Sequence, residues 1–189
     1  MLGQTQGSGR WLLWLRSAVL LCLIGLATQG KLHCQQQESA LSDGEVEKLR
    51  ETADDAPSRI MAFVEFLNQR ADRIENLTTG KRLPGREEDI HELIQQMTSI
   101  FDDLDDNLDD YNKRHWDIRR ALPKLLTGTE RWATVLRTPP DDQEYNVARK
   151  LALESLNDVR DSAAQLLEAQ KAWFKDHPPN KSKDKSKDG

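Results

Sequence analysis

IHELIQQMTSIFDDLDDNLDDY, residues 90–111, combines an unbroken apolar stripe with the densest run of acid in the chain. Ile90, Leu93, Met97, Ile100, Leu104, Leu108 and Tyr111 follow one another at steps of three and four, and Ile94 and Phe101 widen the stripe. That is the period of an α-helix buried along one face. A strand would need alternation at period two, which is absent. Between the apolar positions stand Asp102, Asp103, Asp105, Asp106, Asp109 and Asp110. Aspartate competes for nearby backbone groups and is a mediocre helix former. A helix carrying so many of them needs partner helices to hold it.

Outward from this stretch the same period recurs. Ser42 and Glu45 form a Ser-x-x-Glu capping box. A stripe follows through Val46, Leu49, Ala53, Ala56, Ile60, Phe63, Leu67, Ala71, Ile74 and Leu77. Pro57 interrupts it without changing the register, which predicts one kinked helix. The alternative is a break near Asp54-Asp55-Ala56 with Pro57 opening a second helix. Gly80 suits a left-handed helix end, and Lys81–Gly85 reads as a turn. The central helix then starts near Arg86, with Glu87, Glu88 and Asp89 against its dipole. Its stripe runs on through His115, Ile118, Leu122 and Leu125, with Gly128 as a C-cap and Pro123 as a kink or early end. Residues 129–137 predict a short connecting helix closed by Pro139-Pro140. Asp141 and Asp142 open a last long helix, with Tyr145, Ala148, Ala152, Leu156, Val159, Ala163, Leu166, Gln170 and Trp173 on one face.

These segments predict an all-α fold: an elongated, antiparallel, coiled-coil-like three-helix bundle over residues 42–175, with a short extra connecting helix. Residues 31–41 read as a polar linker. Residues 176–189 end in alternating lysine, serine and aspartate with nothing to bury, and predict a disordered tail.

The first thirty residues read as an export signal. Arg10 and Arg16 flank WLLWL, a short apolar run follows from Ser17 to Ala27, and Thr28 and Gly30 suit a cleavage site. An uncleaved anchor is the alternative. The uninterrupted run is short for a span, and counting from Trp11 buries Arg16. Cys22 lies inside the apolar run, which leaves Cys34 alone in the exported chain, free or paired with another chain. Export places the protein in the periplasm, envelope or extracellular space.

The net charge of −5 becomes −7 once Arg10 and Arg16 are removed with the signal. An acidic body argues against nucleic-acid binding, which depends on basic groups displacing counterions. Lys113-Arg114-His115-Trp116 with Arg119-Arg120 is a basic patch with an aromatic, read as pairing with neighbouring acids. Asn76-Leu77-Thr78 and Asn180-Lys181-Ser182 are glycosylation sequons, relevant only in a eukaryotic secretory pathway.

DDLDD at 102–106 and DDNLD at 105–109 both match the Asp-Asp-x-x-Asp pattern of prenyl-diphosphate and terpene synthases. The resemblance is local, and the second acidic motif such a diphosphate site needs is missing. An EF-hand also fails, with Leu108 at the turn glycine and Arg114 at the bidentate glutamate. Glu88-x-x-His91 is half of a di-iron signature whose other half is absent. His33 beside Cys34 falls short of a closed metal site. No phosphate-binding glycine loop or nucleophile elbow occurs. The expectation is therefore a non-catalytic protein acting by protein binding, scaffolding or self-association, with no cofactor and no small-molecule substrate. The alternative is weak divalent-cation binding by Asp102, Asp105, Asp106 and Asp109.

Overall fold

The computed structural model describes residues 40–178. The expected export segment, Cys22, His33, Cys34, the expected linker through residue 39, and residues 179–189 of the expected tail with its sequon lie outside the described residues. The described chain is all-helical: α1 Asp43–Glu51, α2 Ala56–Thr79, α3 Arg86–Lys113, α4 Leu122–Arg137 and α5 Asn146–Asp176.

The first predicted segment is two helices. Ser42 and Glu45 form the expected capping box of α1. The chain leaves the helix at Thr52 and re-enters at Ala56, with Asp55 as N-cap accepting from the Ser58 amide. Pro57 sits in the first turn of α2, where its missing N–H costs nothing. The break, rather than the continuous kinked helix, is what forms. Ala53 stands exposed in it. Gly80 ends α2 in extended backbone, φ −74° and ψ 178°, and not in the left-handed region. The left-handed glycine is Gly85, φ 83°, at the entry to α3. Only a residue without Cβ takes that turn freely.

α3 starts at Arg86 as expected but stops at Lys113. His115 adopts φ 53°, the only positive φ outside glycine among the described residues. The chain then crosses in irregular structure to α4. Ile118, Leu122 and Leu125 are buried, so their spacing continued the stripe across a gap that is not helical. α4 is longer than the predicted connector, and Gly128 lies inside it instead of capping α3. A Cβ there would meet the Trp132 ring at 2.8 Å. Gly128 therefore makes room for Trp132, which is fully buried.

The contact pattern is that of four helices, each with two main neighbours. α3 packs on α2 and α5, and α4 packs on the same two; α1 adds chiefly to α2. α2 and α3 run antiparallel, since Arg59 bonds Asn107 and Arg70 bonds Gln96. α3 and α5 run parallel, since His91 meets Glu144 at one end and His115 stacks on Trp173 at the other. α2 and α4 are also parallel, with Arg120 on Asp55 and Arg131 on Asn68 and Glu75. Parallel neighbours arise because the 114–121 crossover runs diagonally over the end of the bundle. The expected all-antiparallel packing holds for α2 with α3 but not for these two pairs. Phe101 and Trp132 meet across the core, ring centres 5.8 Å apart. The stripe of residues 90–111 is buried throughout.

Candidate interaction surfaces

Four places carry the polar and aromatic chemistry. The first is the acidic face of α3. Asp102, Asp106 and Asp109 are exposed and Asp105 is half-buried, on successive turns of the helix. Lys113 pairs with Asp109 at 3.3 Å and Arg114 with Asp110 at 2.9 Å. Burial pushes the Asp103 carboxyl above its ordinary value, and the charges of Asp106 and Asp102 push it further, with Arg59 opposing. One carboxylate oxygen of Asp105 is buried without a hydrogen-bond partner. Among the described residues, no three His, Cys, Asp or Glu side chains converge as a metal cage would require.

Within that run the residue that links α3 to α2 is Asn107, which the sequence offered only as a position in the failed EF-hand spacing. Its Oδ1 accepts from Arg59 Nε at 3.0 Å and from Tyr111 Oη at 3.1 Å, while its Nδ2 donates to the Asp103 carbonyl. Arg59 also donates to the Leu49 carbonyl at 2.7 Å. One guanidinium thus joins the end of α1 to the acidic helix. The available signal was a single amide inside a run of aspartates.

The second place is the end of the bundle where α3 stops and α5 finishes. Gln170 is buried, accepts from the Ile118 amide at 3.1 Å and donates to the Trp116 carbonyl at 2.9 Å. It fixes the crossover. Tyr111 and Trp116 stack at 5.5 Å, and Trp173 lies between the rings of His115 and His177. Both faces of Trp173 are therefore covered, although it remains 39% exposed. The expected core position of Trp173 becomes this stacked surface position. The basic patch is paired with acids of the chain: Arg119 with Asp117 at 2.6 Å and Arg120 with Asp55 at 3.4 Å, beside the Lys113 and Arg114 pairs above. Arg119 holds the Asp117 carboxyl below its ordinary range through these hydrogen bonds, against the effect of burial.

The third place anchors α1. Arg70 and Glu45 are both buried and ion-paired. Arg70 Nη2 donates to Glu45 Oε2 and to the Ala40 carbonyl, each at 2.8 Å, and Nε donates to Gln96 at 3.3 Å. Burial pushes the Glu45 carboxyl up, but Arg70 and the Ser42 amide outweigh it and hold it below its ordinary value.

The fourth is an open groove of about 720 Å³ over α2, walled by Lys48 and Thr52 on one side and by Arg120, Ala121 and Lys124 on the other. Pro57, Met61, Ala62 and Val64 give it an apolar floor, while Glu65 and Asp72 add acid to its lining. Lys48 spans to Glu65. Neither half of the Glu88-His91 motif enters this groove; His91 instead contacts the Glu144 carbonyl, and its Nδ1 stands 3.7 Å from the Glu144 carboxylate.

No helix among the described residues is long and apolar enough to cross a membrane. No protein-family model, no curated protein and no solved structure matches the chain.

Proposed function

We propose that this is an exported, non-catalytic protein of the periplasm, envelope or extracellular space that acts by binding or scaffolding a protein partner, received in the groove over α2. The groove's apolar floor between charged walls carries the reading. It has the makeup of a protein interface, with an apolar centre and a polar rim, and its length along α2 suits an amphipathic helix or extended segment. The signal-like residues 1–30 support the compartment. A photo-crosslinking side chain placed at Met61 tests the reading in the native envelope or secreted fraction. A discrete adduct is expected from Met61 and none from Gln165, which is exposed on α5. Equal labelling from both positions, or none, refutes it.

A second reading, weak divalent-cation binding by Asp102, Asp105, Asp106 and Asp109, draws on the unpartnered Asp105 oxygen and on the like-charge crowding at Asp103. Hard cations take carboxylate oxygens and fill remaining positions with water. Calorimetry with Ca²⁺, Mg²⁺ and Zn²⁺ would give heat that vanishes when the four aspartates become asparagine. An absence of heat in the unaltered chain removes this reading.

A further inference from the structure

The buried face of α5 is complete: Ala148, Ala152, Leu156, Val159 and Ala163 all point into the bundle. Away from that face the helix begins with two apolar residues left exposed. Val147 is 73% exposed and Leu151 is 51% exposed, one turn apart. Single exposed apolar residues are ordinary. Two at i and i+4, flanked by opposite charges in a defined order, are a pattern. Lys150 and Glu154 stand beside them, with side chains 78% and 60% exposed and only 4.0 Å apart. An exposed i,i+4 pair at that distance is weakly held and free to find better partners.

We propose that this opening stretch of α5 is a self-association surface, on which α5 of a second copy of the chain crosses antiparallel at Leu151. The argument for a second copy is the order of the charges. A two-fold axis between antiparallel helices sets each flank against the same flank of the other copy. Crossing at Leu151 joins the two Leu151 side chains and sets each Val147 opposite Ser155 of the other copy, one turn from that copy's Leu151. It also puts Lys150 of each copy within a turn of Glu154 of the other, twice over. The flank is complementary to itself in sign. Asp158 and Glu144 limit the geometry, since an aligned pair would bring them together across the interface. A crossing of roughly 50° lets the helices diverge before that point. The acidic body opposes approach at low salt, so association strengthens as salt screens the long-range repulsion. This surface is on α5, away from the groove over α2, so the fate of one proposal does not decide the other.

Sedimentation equilibrium on the purified chain tests it. A concentration-dependent dimer is expected, tightening from low to moderate salt. K150E alone makes the flank wholly acidic and E154K alone makes it wholly basic. Each variant by itself is expected to dimerise at least about tenfold more weakly, because like charges then face each other across the interface. An equimolar mixture of the two is expected to recover association as a heterodimer. L151D is expected to be monomeric with unchanged helix content. Three results overturn the proposal: a chain still monomeric at about 1 mM; a dimer indifferent to all of these changes, which places the contact elsewhere; or a mixture that fails to recover, which assigns the patch to a different protein.

Discussion

Replacing Arg70 by Met removes the buried ion pair that holds α1, leaving the exposed Lys48–Glu65 pair, which is worth little. The guanidinium is 7% exposed and spans the Glu45 carboxylate, the Ala40 carbonyl and Gln96. Without it, Glu45 keeps only the Ser42 amide at 2.8 Å and hydroxyl at 3.0 Å. Leaving one partner of a buried ion pair in place costs about 3–5 kcal/mol. Against that, α1 offers little to stay docked. Its nine residues bury only Glu45 and Leu49. Leu49 contributes about 1.5–3 kcal/mol, and a nine-residue helix does not persist alone. The cheaper response is release of α1, which returns Glu45 to water and caps the loss to the remaining bundle near about 3 kcal/mol. For a domain of this size that is a fall in Tm of roughly 6–12 °C. Hydrogen exchange is the informative assay. Amides of residues 46–51 should lose their protection while α3 and α5 keep theirs. Adding Glu45→Leu to Arg70→Met should restore docking, because an apolar pair carries no stranded charge. If α1 exchanges as slowly in Arg70→Met as in the unaltered chain, or Tm does not move, the reasoning fails.

Acid should act on the same contact. Glu45 is held below its ordinary pKa of 4.5 and Asp117 below its ordinary 3.8, so each adds stability that is present above the ordinary value and lost as pH falls through the lowered one. Asp103, raised by burial and by its neighbours, has the opposite sign and relieves strain as it takes up a proton. Melting followed from pH 7 to pH 3 should show an acid limb that flattens in Glu45→Gln; an unchanged limb would reject this assignment. Gly128→Ala gains up to about 1 kcal/mol of helix propensity but drives a Cβ to 2.8 Å from the buried Trp132 ring, at about 1–3 kcal/mol; urea unfolding should show net destabilisation, and a gain in stability would mean the ring has room to move. Gln170→Leu strands the Ile118 amide and the Trp116 carbonyl, costing about 1–3 kcal/mol; loss of the near-ultraviolet signal of Trp116 and Trp173 should accompany it, and a silent substitution would show that the crossover is held elsewhere.

The helical class and the buried face of α3 were legible because burial and period coincide: every apolar residue proposed from Ile90 to Tyr111 is buried. The starts of α1 and α3 were legible too, but where α3 stops and α4 begins was not. His115, Ile118 and Leu122 keep helical spacing while the chain between them leaves the helix, so periodicity by itself ran α3 through the crossover into the first half of α4. Pro57 gave the opposite ambiguity, since both a kink and a new start preserve register. Asp55 as N-cap decided it. Helix direction could not be read from any stripe, because a stripe is the same in a parallel pair and an antiparallel one. Among the polar residues, the acid run was conspicuous and the Arg59–Asn107 bond was not, while Gln170 was placed on the buried face without its partners. Their importance comes from carbonyls and amides far away in sequence.

The diagonal crossover has a consequence for how the molecule is born. Synthesis delivers α2 and α3 first as an adjacent hairpin, but each of them finds its parallel neighbour only later. When the chain has emerged as far as Arg137, α2 can receive α4, while the side of α3 that belongs to α5 still faces solvent. α3 carries the longest apolar stripe, and it is the last to be covered. A nascent chain is therefore adhesive through most of its synthesis and becomes inert only once the final helix arrives.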